Sequence, residues 1–209
     1  MSSADASLRL EWVDTGTMRR ALRCWYSRPE SPMGAIQSLG VFEGGRFVGV
    51  IVFGKGATSA LVKRYGYEQH QGCELVRVAF AADHKTPVSR SLGIALRLLR
   101  RQNPGLELVV TFADPTRHHG GIYQATGWVY SGLTSASTEY VVDGVQHHGR
   151  AFRHLGIPED DPRVTKVLGT AKHRYLYPLT PQAKQVAEKF RLPYPRATAS
   201  VPAEPSSTP

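Results

Sequence analysis

Residues 73–133 carry most of the side chains suited to chemistry. The loop Asp83-His84-Lys85-Thr86-Pro87-Val88-Ser89-Arg90-Ser91 joins an apolar run to a segment with helical spacing. A loop that opens a helix presents unpaired backbone N–H groups at the positive end of the helix dipole, which suits a phosphate. Ser89 and Ser91 add hydroxyls, Lys85 and Arg90 add charge, and an arginine can fork onto phosphate oxygens. Anion binding is the chemistry this predicts. A capped basic helix is the plainer reading of the same letters.

Glu74 and Arg77 interrupt the apolar run before that loop. Residues three apart on a strand point to opposite faces, so only one of the two is expected to face a cleft. A charge there needs a partner. Either the two form an internal ion pair, or Arg77 faces a substrate or a phosphate. Asp114 ends a second buried run, where ligands bind open sheets. It is placed to accept a proton from an amine, or simply to cap the turn begun by Pro115. Tyr123 follows nine residues later. A phenol suits a general acid, or else packs on the sheet. Tyr26-Ser27-Arg28 sets a ring beside a cation, as stacking on an extruded base requires, or as a helix end anchored by Trp25 would give. His118-His119 and His147-His148 match no zinc spacing and no cysteine pair accompanies them, so no metal ligands are assigned. Cys24 and Cys73 read as small apolar fillers.

The elements that must position these groups are legible from patterning. Strands are expected at 8–13, 36–42, 46–53, 74–80, 106–112, 128–130, 138–142, 145–148 and 173–179, with helices at 17–25, 88–102, 122–126, 150–155, 162–167 and 181–190. Glu43-Gly44-Gly45 and Asp143-Gly144 mark hairpins. Residues 54–72 form a connection too long to be neutral, and are expected to be functional or mobile. One domain over 8–190 and a disordered Pro/Ala/Ser/Thr-rich tail over 191–209 follow.

The chain has 209 residues, is 41% hydrophobic and carries a net charge of +9. No apolar run is long enough for a membrane span and no signal peptide is evident, so a reducing, cytoplasmic setting is expected. The positive balance favours a polyanionic partner such as nucleic acid. Arg97, Arg100 and Arg101 cluster on one helix, and with Arg28 they are the expected DNA contacts.

The order of elements predicts a mixed α/β (α+β) fold, a central sheet flanked by helices. It resembles the GCN5-related N-acetyltransferase fold over roughly residues 8 to 150. In that fold one strand splays from its neighbour, and the coenzyme A arm lies in the cleft. The loop at Lys85, Ser89, Arg90 and Ser91 is then in place for the pyrophosphate, although the usual loop of the fold is richer in glycine.

Several phrases together resemble the phage Mom family of DNA adenine modification proteins, from about residue 10 to 180. They are Cys24-Trp25-Tyr26-Ser27-Arg28, Glu74-Leu75-Val76-Arg77, Ser89-Arg90-Ser91-Leu92-Gly93, Thr111-Phe112-Ala113-Asp114, Gly121-Ile122-Tyr123-Gln124-Ala125-Thr126-Gly127-Trp128 and Lys172-His173-Arg174-Tyr175-Leu176-Tyr177-Pro178-Leu179. The resemblance implies an enzyme that adds an acetamido (carbamoylmethyl) group to the exocyclic amine of adenine in DNA, protecting it from restriction in a bacterial host cell. It implies acetyl-CoA or another coenzyme A thioester as cofactor, double-stranded DNA as partner, and leaves room for a metal ion without giving its site. Tyr26, Arg77, Ser89, Asp114 and Tyr123 match site positions of the family, whereas Trp25 stands where a histidine is more usual. An ordinary N-acetyltransferase acting on a small amine or protein is the alternative, and a non-catalytic nucleic-acid-binding module the third reading.

Overall fold

The computed structural model describes residues 7–26, 36–56, 58 and 60–196. Strand β1 (Leu8–Val13) leads into α1 (Thr15–Trp25), whose N-terminus is capped by the Asp14 carboxylate accepting the Thr17 N–H at 2.9 Å. Met18, Ala21 and Leu22 recur at helical spacing and are fully buried, while Arg19, Arg20 and Arg23 are exposed. Burying a side chain such as Met18 or Leu22 contributes about 2 kcal/mol. Strands β2 (Ile36–Glu43) and β3 (Arg46–Gly54) form the expected hairpin. Gly44 and Gly45 both hold positive φ, +55° and +85°, as its two-residue turn demands.

The connection after β3 is less open than its composition suggests. It makes single 3-10 turns at Lys63–Tyr65 and Gln69–Gln71, and drives Val62 and Tyr65 into the core. Gly72 is required beneath it, because a Cβ there would lie 2.2 Å from Val62. Strand β4 (Gly72–Phe80), helix α2 (Val88–Gln102) and strand β5 (Leu108–Ala113) follow, then α3 (Gly121–Ala125) and β6 (Val129–Leu133). A small second sheet comes next, from β7 (Thr138–Val142) and β8 (Val145–His148), helix α4 (Gly149–Arg153) and β9 (Val164–Leu168). Strand β10 (His173–Pro178) then returns to the main sheet, and α5 (Pro181–Glu188) closes the series with Thr180 as N-cap.

The main sheet has the order β1-β2-β3-β4-β5-β10-β6; β10 slots between β5 and β6, antiparallel to both. One face packs against α2 and α3 through Leu92, Leu96, Val109, Tyr123 and Tyr175. The other face is covered by α1 through Val50, Val52 and Ala79, and by α5 with the Val62–Tyr65 turn through Leu108, Val110 and Leu176.

Three expectations change. Residues 162–167 hold a turn and most of the strand β9, not a helix, because β-branched Val164, Thr165 and Val167 pair along β7 from Val142↔Val164 onward. The fold does not close by residue 150, since β10 is a central strand. The chain from 191 to 196 is docked: the Leu192 N–H donates to Tyr130 O, and the Tyr194 hydroxyl donates to Trp128 O at 2.6 Å. The rest of the expected tail, 197–209, lies outside the described residues. Among the described residues no helix is long and apolar enough to cross a membrane.

Glu43 ties the hairpin to the loop before α2. Its carboxylate is buried and accepts the N–H groups of Lys85 (3.0 and 3.1 Å) and Thr86 (2.6 Å). Burial raises its pKa, but these bonds outweigh burial and hold it below the ordinary carboxylate value. Its contribution is therefore present above pH ~4.5 and is lost as pH falls through the lower folded value. Glu43→Gln is expected to lower stability at pH 7 by about 2 kcal/mol and to flatten the loss of stability between pH 6 and 3, both read from urea melts. Burial also pushes the Cys73 thiol up to about 12, whereas Cys24 is exposed. Iodoacetamide at pH 8 should alkylate Cys24 on the native protein and spare Cys73, as peptide mass mapping would show.

Candidate functional site

Strands β4 and β5 run parallel but pair over only three positions, Gly72↔Leu108, Cys73↔Val109 and Glu74↔Val110. Beyond Glu74, β4 follows β3 while β5 follows β10, and a fork opens between them. The Thr111 hydroxyl spans its base, donating to Leu75 O at 2.9 Å. Past that point the edge of β4 facing the fork has no strand partner among the described residues.

A β-bulge sits on β4 at the same place. Val52 pairs with Arg77 and Phe53 with Leu75, so Val76 is skipped. The extra residue shifts the alternation. Cys73, Leu75, Val78 and Phe80 face α2, whereas Val76 and Ala79 face α1. Glu74 and Arg77 therefore lie on the same face, the α1 face, contrary to the strict period of two. Glu74 turns towards Gly56. The Arg77 guanidinium lies over the Tyr26 ring, 5.1 Å from its centroid, and donates to Val76 O at 2.8 Å; among the described residues its buried Nε has no partner. Tyr26 itself terminates α1. An open depression of about 410 Å³ beside it is lined by Cys24, Trp25, Tyr26, Phe80 and Ala82, within the size range of ligand pockets.

Tyr123 reaches the fork from the α2 face. Gly120, at φ +86°, lets the chain pass within van der Waals distance of Tyr175, and the turn of α3 that follows buries Tyr123 against Trp128 and Tyr175, with ring centroids 5.3 Å apart in each pair. Its hydroxyl lies beside Thr111. Burial, with the nearby Tyr26, Tyr175 and Glu74, pushes its pKa up to about 12. It is a phenol, not a phenolate, at any physiological pH. Tyr26, Arg77 and Tyr123 thus converge on one opening from its two sides.

Asp114 belongs to a neighbouring group at the end of β5. Its carboxylate accepts the Thr116 N–H (3.0 Å) and hydroxyl (2.6 Å), and its backbone carbonyl accepts the N–H groups of Arg117 and His118. Desolvation raises its pKa, but the Thr116 bonds and the charges of Lys172 and Arg117 prevail and leave it below the usual value. It is ionised at neutral pH and also caps the turn. His118 stands beside it, its Nδ1 accepting the Gly120 N–H, and desolvation keeps this imidazole neutral more readily than usual. Among the described residues, no three His, Cys, Asp or Glu side chains come together to hold a metal ion.

At the start of α2 no side chain caps the helix and no acidic residue occupies its first turn. Lys85 and Arg90 are exposed and Ser89 is half-buried. Ser91 is fully buried, and its hydroxyl has no partner among the described residues. The amides of Lys85 and Thr86 are engaged by Glu43, so the ones left for a ligand are those further into the turn. Arg97, Arg100 and Arg101 are exposed on α2, across the sheet from Tyr26 and Arg77. Arg28 lies outside the described residues.

The bridging by Thr111, the tie made by Glu43 and the shared face of Glu74 and Arg77 were missed from sequence. A lone threonine within Leu-Val-Val-Thr-Phe-Ala was the available signal for the first. The other two depend on strand register, which composition does not carry. A larger cavity of about 580 Å³ lies toward the other end of β4, lined by Gln37, Phe53, His70, Cys73 and Asn103 among others, away from Tyr123.

Among solved structures, a chimera of the spermidine N-acetyltransferase SpeG from Vibrio cholerae and hSSAT is similar at a TM-score of 0.53 and 11% identity, covering 85% of this chain and 98% of that one. A Bacillus subtilis acetyltransferase in complex with CoA matches at 0.49 and 14%, covering 83% and 100%. Vibrio cholerae spermidine N-acetyltransferase in complex with CoA and spermine matches at 0.47 and 13%, covering 82% and 95%. No curated protein matches the chain. At such identities the likeness is one of fold, that of the GCN5-related N-acetyltransferases. The Mom protein family profile matches residues 7–196, and over that span of fork, bulge and returning strand the chain belongs to the Mom protein family.

Proposed function

We propose that this protein is a transferase that modifies DNA, placing an acetamido (carbamoylmethyl) group on the exocyclic amine of adenine with a coenzyme A thioester as cofactor. The observation that carries this reading is the convergence at the fork: a buried phenol on one side, and an aromatic ring stacked on an arginine with an unpaired donor on the other.

The cofactor's requirements fit the α2 face. Its pyrophosphate needs donors and positive charge, and the uncapped first turn of α2, half-buried Ser89, Lys85 and Arg90 supply them. Its amide-bearing arm needs backbone partners, and the unpaired edge of β4 offers them as a strand edge does to an extended ligand. When bound, the thioester supplies an activated acyl carbon. Tyr123, whose pKa burial pushes up to about 12, would give its proton to the departing sulfur. Tyr26 and Arg77 offer a stacking platform for a base taken out of the duplex, as a side chain cannot reach adenine's amine for chemistry inside the stack. Ionised Asp114 holds and orients the amine. That amine is a weak nucleophile because its lone pair is delocalised into the ring, so positioning carries much of the burden. An acetamido group is joined through its methylene carbon, so a methyl C–H bond is replaced by C–N. That is a two-electron oxidation that calls for a separate oxidant, while a nitrogen donor displaces the thiolate at the acyl carbon. The residues named above are assigned binding, orientation and the proton to the thiolate, and neither the oxidant nor the nitrogen.

Nucleoside mass spectrometry on plasmid DNA from expressing cells tests the reading. A new adenosine species is expected with the wild type and none with Asp114→Ala. Unmodified DNA together with thioester-dependent acetylation of a polyamine would instead make this an ordinary N-acetyltransferase. Tyr123→Phe should lower modification by about 100-fold or more while costing only about 1 kcal/mol of stability, measured by initial rates and urea melts on the same preparation. Tyr123 titrates near 12 and Asp114 below 3.8, so neither contributes a limb between pH 7 and 9. The rate of the chemical step is expected to be flat over that range, and a sigmoid centred there would remove the Tyr123–Asp114 pair from the chemistry.

A further inference from the structure

The main sheet has two basic surfaces, one on each side. On the α2 face Arg90, Arg97, Arg100 and Arg101 are exposed along one helix. On the opposite face Arg19, Arg20 and Arg23 are exposed along α1, which contains no acidic residue between Thr15 and Trp25. The same face continues through Lys63 and Arg64 to Lys184 and Lys189 on and after α5. Arg64 lies 5.4 Å from the Tyr65 ring centroid and 5.9 Å from that of Phe190, so it bridges the 3-10 turn and the end of α5. Sequence grouping favours the first surface because its arginines are close together in the chain. The fold favours the second.

The reason is the bulge at Val76. It turns Arg77 to the α1 face, where the guanidinium meets Tyr26. The ring and cation that would receive a base therefore open on the side covered by α1 and α5, while the uncapped start of α2 and the buried Ser91 belong to the other side. A polyanion docked on the α2 arginines would have the whole sheet between it and Tyr26.

The layout of the α1 face also matches a duplex. Helix α1 rides on β3 and its neighbours, and α5 on β10. At the base of the fork, where β4 and β5 still pair, three strand spacings separate β3 from β10, or about 14 Å, and the distance grows beyond it. That is comparable with the roughly 12 Å width of the B-DNA major groove, so two cationic rims at this spacing can hold the phosphates on either side of a groove. The fork lies between the rims, and α1 leads its arginines up to Tyr26 at its own C-terminus.

We infer that duplex DNA docks on the α1 face, with Arg19, Arg20 and Arg23 holding phosphates of one strand and Lys63, Arg64 and Lys189 those of the other, so that the extruded base enters at Tyr26. This rests on the DNA-modification reading and specifies the surface it uses. These contacts are to phosphate and set orientation and affinity, not sequence preference.

The test compares charge reversals on the two faces. Arg19→Glu with Arg23→Glu, and separately Lys63→Glu with Lys189→Glu, are set against Arg97→Glu with Arg100→Glu and Arg101→Glu. Binding of a fluorescent 20-base-pair duplex is titrated at several salt concentrations, and coenzyme A binding is followed by thermal shift. Each α1-face pair is expected to weaken duplex binding at least about tenfold and to reduce the log–log salt slope by roughly 2, with the coenzyme A shift retained. The α2 triple is expected to stay within about threefold of wild type. Should a reversal unfold the protein, Arg19→Ala with Arg23→Ala gives the same comparison, with about 3-fold or greater weakening expected. Loss confined to the α2 triple, with wild-type affinity in the α1-face pairs, overturns the docking surface and leaves the DNA reading standing. A folded wild type that binds coenzyme A but no duplex at low salt overturns both.

Discussion

Parallel strands stay paired only while both can keep their hydrogen bonds without abandoning their other neighbours. In this protein β4 and β5 stop pairing after Glu74 and Val110, because β4 is bound to β3 along its length and β5 to β10. The sheet's twist carries the two halves apart, and Thr111 bridges the point of divergence. Everything assigned to the site depends on that separation. It leaves a strand edge unpaired, lets Tyr123 reach in from one face and lets Tyr26 with Arg77 reach in from the other. A continuous β4–β5 ladder would bury the same residues as ordinary core.

The bulge at Val76 is the second condition, and it works by counting. One extra residue on β4 puts Glu74 and Arg77 on one face and keeps Leu75 and Val78 on the other. The cost is a guanidinium whose buried Nε has no partner among the described residues. Unpaired buried donors destabilise a fold, and Tyr65, Trp128 and Ser131 carry others elsewhere in the core. The orphaned Ser91 hydroxyl on the other side of the fork is of the same kind. In the proposed function the Arg77 guanidinium would meet the base.

The loop before α2 shows a different economy. Loops of this kind can spend all their amides on an anion, but here two are already held by Glu43 from the hairpin β2–β3. An internal carboxylate thus does part of what glycine does elsewhere in the fold. It fixes the loop's path from a distant strand, where a glycine-rich loop relies on being able to adopt unusual dihedrals. The chain's end contributes in a comparable way. Residues 192–195 bind along β6 and the Gln124 side chain donates to Pro195 O, bracing the turn that presents Tyr123.

Local periodicity was enough to read the hairpin at Gly44-Gly45, the helix 88–102 with its apolar seam, the buried strand ending at Asp114 and the short turn bearing Tyr123. Each of these is set by interactions within a few residues: capping, alternation, glycine at positive φ. The family phrases include Tyr26, Arg77 and Tyr123, and these three meet at the fork. What the sequence could not carry was anything decided by pairing at a distance. The strand at 164–168 read as a helix because its partner β7 lies more than twenty residues away. Glu74 and Arg77 were assigned to opposite faces because a bulge exists only relative to β3. Glu43 and the docked residues 191–196 carried no local sign of their partners. The side of the sheet on which Tyr26 opens was decided by tertiary structure alone, since a face is a property of register and not of composition.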